Sequence, residues 1–293
     1  MSSPCAPVSR PPSPDRVSVA KKKSPPRPNN VVAQARGRST GRNRPARGSV
    51  AWEHVKTFGG AILIFLFVKT FLFEAYRIPS GSMIPSLLIG DWLFVNKLVY
   101  GPKVPFVDLN LPGYRQPQRG DVVVFQSPPQ HDQPEDLTPT LVKRLVGMPN
   151  DTIYMRDGLL HVNGMPQRQG FAAATRTPDG DADVYSDLFA WQAGHAVRGT
   201  RFGPPPARPT LDTWGPLVVP SAHLFMMGDN RHCSKDSRFW GLVPRKNVRG
   251  RPMFVYYSYR PGGMPGECNP ETSTRPVPFI TDIRWGRIGT WIK

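Results

Sequence analysis

The distribution of apolar and polar positions divides the chain into two regimes. Between Phe58 and Tyr76 the sequence FGGAILIFLFVKTFLFEAY is apolar apart from Lys69 and, near its far end, Glu74. A run of this length can just span a bilayer core. Lys69 would cost about 2.5–3.5 kcal/mol at the centre of a span, but it lies off centre, where its alkyl stem can snorkel toward the interface. The run predicts a transmembrane helix over 58–76, with a buried core helix as the alternative. A cleaved signal peptide fits less well, because the basic stretch before the run is too long and no small-x-small site follows it.

After Tyr76 the pattern shortens. DWLFVNKLVYG, GDVVVFQS, TLVKRLVG, DTIYMRDGLLHVNG, HLFMMGD and MFVYYSY are β-branched or aromatic runs set apart by Gly, Pro, Asn and Asp, which reads as strands. Asp157-Gly158 between TIYM and LLHV signals a tight hairpin, and Asn163-Gly164 a second turn. No long amphipathic helix follows Tyr76. RTPDGDAD and RFGPPPARPT make residues 168–215 polar and rich in Pro and Gly, so an irregular insertion is expected there. The expected fold is mainly β: an antiparallel β-sheet domain over 77–293, preceded by a single transmembrane helix.

Charge adds a third segment. The chain carries a formal net charge of +17, and 38 Lys and Arg stand against 21 Asp and Glu. Up to residue 50, eleven Lys and Arg oppose the single acid Asp15, among nine prolines and almost no aromatics. Such a stretch cannot bury enough apolar surface to offset its ordering entropy, so 1–57 is expected to be a disordered tail. Basic flanks stay cytoplasmic, which would place 77–293 outside the cytoplasm. A nucleic-acid partner is not expected, because no reader fold accompanies the tail and aromatics are not interleaved with its charges. The cysteines and histidines are scattered without metal-ligand spacing, so neither a metal nor another cofactor is expected.

The candidate chemistry begins just beyond the apolar run. Ser82 follows Gly81 at the foot of a predicted strand, and a serine nucleophile needs a base. His54 precedes the span, and His131, His161, His195 and His223 stand in no triad motif, although His232 lies close to a suggestive stretch. No G-x-S-x-G elbow occurs, and the one S-x-x-K, Ser18 to Lys21, lies in the tail. A lysine can serve instead if burial brings its pKa toward neutrality. Lys143 in TLVKRLVG is flanked by apolar residues on a predicted strand, where Lys143 and Arg144 point to opposite faces. Only the lysine can lose its proton, at a cost of about 4 kcal/mol for three pKa units.

Taken together and in order, PSGSMIPSLLIGD, VKRLVGMPND and MMGDNRHCSKDSRFWGLVP resemble the boxes of bacterial type I signal peptidase, or leader peptidase. This family of Ser/Lys-dyad proteases removes signal peptides from exported proteins. The resemblance implies that Ser82 is the nucleophile and Lys143 the general base, with the Ser80 hydroxyl and the Ser82 N–H forming the oxyanion hole. Ser234 matches the serine that orients the lysine, Asp236 and Arg238 a charged pair that holds the last loop, and Asp229 and Asn230 shape its turn. Met83, Ile84, Pro85 and Leu87 are expected to contribute to shallow pockets for an A-x-A-like site.

Trp92, Trp285 and Trp291 are candidates for membrane contact. Implied partners are signal peptides of exported preproteins, a phospholipid membrane and the protein-export translocon, at the bacterial inner membrane. A relative specialised for one secreted substrate, such as a pilin or a conjugation protein, is the alternative. Two departures from the family pattern stand out: Ser86 replaces the usual threonine, and Asn150 the usual glycine, which asparagine tolerates through its access to positive φ. Cys233 directly precedes Ser234, with three readings open: inert packing, a disulfide with Cys268, or a reactive thiol.

Overall fold

The computed structural model describes residues 47–107, 109–130, 134–167, 187–197, 199–263, 268, 269, 272 and 279–293. The tail up to residue 46, with Cys5, and residues 168–186 of the expected insertion lie outside the described residues.

Helix α1, Arg47–Phe67, continues through a π-helical turn, Val68–Leu72, into strand β1, Phe73–Arg77. The apolar span thus runs from Trp52 to Leu72 rather than over 58–76, long and apolar enough to cross a membrane and not buried against the rest of the protein. Both ends differ from expectation for physical reasons. Prolines cease at Pro45, so the segment 47–57, expected to be disordered, is free to coil, and Glu53 pairs with Lys56 along it at 3.2 Å. At the other end, Phe73 to Arg77 gain cross-strand partners from Asn96 to Trp92, and Phe73 meets the Phe94 ring at 5.1 Å. Tertiary pairing there overrides helical continuity.

The remaining strands are β2 (Asp91–Asn96), β3 (Val122–Gln126), β4 (Thr140–Gly147), β5 (Thr152–Arg156), β6 (Leu159–Val162), β7 (Met165–Pro166), β8 (Trp214–Val218), β9 (His223–Met227), β10 (Val243–Pro244) and β11 (Val248–Ser258). They form a seven-stranded sheet in the order β1-β2-β11-β3-β4-β9-β10 and a four-stranded sheet in the order β7-β6-β5-β8. All pairings are antiparallel. The fold is therefore mainly antiparallel β, behind an N-terminal apolar helix. The β5–β6 hairpin turns at Asp157 and Gly158 with φ of 48° and 73°, as two-residue hairpins require. Asn150, in place of glycine, adopts φ 68°.

Alternation along β2 shows how the larger sheet is faced. Leu93 and Val95 point inward with Met83, Leu87, Val122, Val124 and Val255. On the opposite face Phe94 stacks with Phe254 at 5.7 Å, and Phe254 meets Trp291 at 5.6 Å, leaving a partly exposed aromatic surface. The second sheet packs against the first through a shared core, in which Ile153, Met155 and Trp214 meet Val146 of β4 and Phe225 and Met227 of β9.

The expected insertion is more regular than its composition suggested. Asp187–His195 forms a 3-10 helix, Thr200–Phe202 a 3-10 turn, and β8 pairs with β5. Apolar Phe189 and Trp214, buried at 1% and 0% exposure, draw this Pro- and Gly-rich stretch onto the body of the domain.

Candidate active site

Ser82 sits in a single 3-10 turn, Gly81–Met83, entered from extended Ser80. The turn is fixed from beneath. Met83 and Leu87 are 1% and 0% exposed in the core, and the Leu87 N–H donates to the Met83 carbonyl at 2.9 Å. These two side chains therefore hold the turn from inside the core. Ile84 is half-buried and Pro85 exposed. The Ser80 and Ser82 hydroxyl oxygens lie 3.4 Å apart.

Lys143 occupies the middle of β4, opposite Val123, and is 4% exposed. Burial pulls its ammonium down from the ordinary lysine value to about 8, partly countered by the carboxylate of Asp236. Arg238 pushes in the same direction as burial, and Asp229 opposes it. Arg144, which alternation turns to the opposite face of β4, is also buried. Its guanidinium reaches Asp229 through two bonds, Nε at 2.7 Å and Nη2 at 2.6 Å, and its Nη1 donates to the Gly120 carbonyl at 2.7 Å. The Ser86 hydroxyl donates to the same Asp229 carboxylate at 2.5 Å.

The loop after β9 completes the site. Asp236 accepts from the Gly228 N–H at 3.0 Å and from Arg238 Nε and Nη2, each at 2.9 Å. Burial alone would raise the Asp236 carboxyl, but the Arg238 charge and hydrogen bonds hold it below the ordinary carboxylate value. Arg238 also donates to the Arg231 carbonyl at 2.6 Å, closing the loop on itself. From outside, Trp191 of the insertion donates its indole N–H to the Arg238 carbonyl at 3.0 Å, so the insertion braces helix α2, Ser237–Trp240.

This loop grips the serine turn directly. The Asn230 N–H donates to the Ser82 carbonyl at 3.1 Å, and its side-chain amide to the Gly81 carbonyl at 3.2 Å. The Ser234 hydroxyl is buried with no hydrogen-bond partner among the described residues. Cys233 and Cys268 form a disulfide, with Cα atoms 5.4 Å apart, which selects one of the three readings left open by the sequence. Away from this centre, Trp285 and Trp291 are 64% and 67% exposed, while Trp92 is half-buried against Tyr256, 6.3 Å between rings.

Two residues of the site escape a reading of the sequence by itself. Arg144 cannot lose its proton and so carries no signal as a base, although a buried carboxylate such as Asp229 needs a cation. Gly228 carries no chemistry, yet a Cβ there would fall 2.2 Å from the Ser234 hydroxyl and 2.4 Å from the Ser82 carbonyl oxygen. Gly228→Ala is therefore expected to push Ser82 and Ser234 apart and lower kcat by about 100-fold, the scale set by misplacing reacting groups by about an ångström. Steady-state kinetics beside urea unfolding would check this, with the unfolding midpoint moving far less than the rate.

A serine hydroxyl 3.4 Å from a second hydroxyl, on a turn packed against the strand that carries a buried lysine of lowered pKa, has the makings of an acyl-transfer site. The chain matches the family model described as "Signal peptidase, peptidase S26" over residues 51–257. The signal peptidase I of Pseudomonas aeruginosa is 35% identical over 220 residues, covering 71% of this chain and 72% of that protein. That of Aquifex aeolicus is 31% identical over 258 residues, covering 78% and 93%. A crystal structure of a signal peptidase I from Enterococcus faecalis aligns at 28% identity and a TM-score of 0.28, over 47% of this chain and 97% of that one. The chain belongs to the signal peptidase family, peptidase S26, and is a serine endopeptidase that cleaves signal peptides.

Proposed function

We propose that this peptidase is anchored in the bacterial inner membrane by the Trp52–Leu72 span and cuts preproteins after an A-x-A-like site with Ser82 as nucleophile and Lys143 as base. The observation that carries the reading is the buried Lys143, its ammonium brought to about 8, in a site whose loop holds the Ser82 carbonyl.

In the first step the neutral Lys143 amine takes the Ser82 hydroxyl proton as Oγ attacks the scissile carbonyl. The oxyanion that develops is met by the Ser82 N–H and the Ser80 hydroxyl, the latter 3.4 Å from Ser82 Oγ. One such donor contributes about 3–4 kcal/mol to the transition state. The tetrahedral species collapses as the Lys143 ammonium protonates the departing amine, which is the new N-terminus of the mature protein. Water, deprotonated by Lys143, then hydrolyses the Ser82 ester and releases the signal peptide as a carboxylate. Ser234, whose buried hydroxyl has no hydrogen-bond partner among the described residues and is free to accept one, is assigned to orient the lysine. Asp236 with Arg238, and Asp229 with Asn230, hold that loop in shape.

The N-terminal tail faces the cytoplasm and the β domain the opposite side, where preproteins emerge from the translocon. The exposed Trp285 and Trp291 and the aromatic surface beside them lie against the lipid headgroups. The test is cleavage of a precursor whose signal ends in A-x-A by detergent-purified protein, with the cut located by mass spectrometry. A single cut after the second alanine by the parent and none by folded Ser82→Ala is expected. Cutting by Ser82→Ala would remove Ser82 as nucleophile.

A further inference from the structure

The Cys233–Cys268 disulfide joins two segments that both press on the turn carrying Ser82. On one side, Gly81 lies so close to Cys268 that a Cβ there would fall within 1.8 Å of the Cys268 carbonyl oxygen. On the other, the Cys233 N–H donates to the Asn230 carbonyl at 3.2 Å, and Asn230 binds the carbonyls of both Gly81 and Ser82. A closed circuit results: Cys268 against Gly81, Ser82 to Asn230, Asn230 to Cys233, and the sulfur bridge back to Cys268.

Cys268 lies in a turn outside the named strands and helices, next to Asn269, which makes a single β-bridge. The sulfur bridge spans 35 residues of sequence and is the covalent link between the Ser234 loop and the backbone that covers Gly81. The glycine at 81 is thereby explained as well: only a residue without a side chain lets the Cys268 carbonyl sit on the turn.

We propose that this disulfide is a positioning element of the active site. Oxidised, it clamps the Gly81–Ser82 turn between Cys268 and the Ser234 loop; reduced, it releases the turn, and acylation slows. The inference rests on the assignment of Ser82 as nucleophile. Bond formation removes two protons and two electrons from the two thiols, which an incoming disulfide accepts as it leaves as two thiols. A reductant reverses the step, and Cys268 is exposed enough for one to reach it.

The test uses the full-length, folded protein with Cys5→Ser, so that the pair supplies its only thiols. The protein is reduced with a phosphine, which becomes the phosphine oxide with an oxygen from water. One portion is capped with iodoacetamide. A second is bridged with diiodomethane, in which the two sulfurs displace two iodides to give S–CH₂–S. A Cys233→Ala/Cys268→Ala variant controls for the bulk of the caps. Precursor cleavage and hydrogen exchange are then measured on each.

The capped and double-alanine forms are expected to lose about tenfold or more in kcat with KM changed less than about twofold, the mark of a group lost from the transition state alone. The bridged form should return to within about threefold of the untreated rate. Amides of residues 80–88 and 228–234 should exchange faster in the untethered forms only. An untethered protein that keeps the untreated kcat, or a bridged one that stays slow, overturns the proposal. If the untreated protein is itself inert, faster exchange in the untethered forms still supports the clamp while counting against Ser82 as nucleophile; unchanged exchange overturns the clamp.

Discussion

Lys143→Met is expected to lower kcat/KM for precursor cleavage at pH 8 by roughly 10³–10⁴-fold, the contribution of a well-placed general base. Methionine nearly matches lysine in volume and suits a site that is 4% exposed, so the fold should be kept or gain stability. The carboxylates that lysine faces do not become orphans: Asp236 keeps its bonds to Arg238, and Asp229 its two bonds to Arg144. Lost activity with an unchanged urea midpoint would thus report on chemistry and not on folding.

The parent supplies the second half of this test. A lysine acting as base works only when neutral, and burial brings the Lys143 ammonium down to about 8. The rate should therefore fall about tenfold per pH unit below that value and level off above it. Lys143→Arg, always protonated, should be as inert as the methionine variant. If Lys143→Met keeps a tenth of the parent rate, another base is at work. Lys97 is a poor substitute, since its ammonium is bound to Glu74 at 2.7 Å and to the carbonyls of Lys69 and Thr70.

What the sequence made legible follows from the range of the interactions involved. β4 lies over Thr140–Gly147 and the Asp157-Gly158 hairpin turns where expected, because each depends on residues adjacent in the chain. The end of the apolar helix was misjudged by four residues, Phe73 to Tyr76, because the partners that draw them into a strand lie about twenty positions downstream. Met83 and Leu87 stand out as part of a motif, yet their burial depends on β2, β3 and β11, which nothing local announces. Composition likewise concealed the 3-10 helix of the insertion, whose few large apolar residues outweigh its prolines once a core exists to receive them. Arg144 and Gly228 share a cause: each is specified by what it must fit against, a carboxylate 85 residues away in one case and two serine groups in the other.

Arg144→Met should destabilise the protein by about 3–5 kcal/mol, because it takes from the Asp229 carboxylate, 2% exposed, the cation that binds it twice. The Ser86 hydroxyl remains as a donor at 2.5 Å, which is too little for a full charge. Pairing the change with Asp229→Leu removes that charge and should recover most of the loss, since buried ion pairs are often matched by apolar pairs of similar volume. Urea unfolding of the parent, the single and the double variants measures this. The two variants also separate stability from catalysis. Asp229 favours the charged form of Lys143, so deleting its carboxylate lets the lysine pKa fall further and moves the acid limb of the rate below about 8. In the single variant the carboxylate is released from Arg144 and turns its full charge on Lys143, raising the lysine pKa and moving the limb upward. Opposite displacements would show that the Arg144–Asp229 pair both secures the loop and tunes the base, whereas limbs that coincide with the parent's would confine the pair to holding the fold.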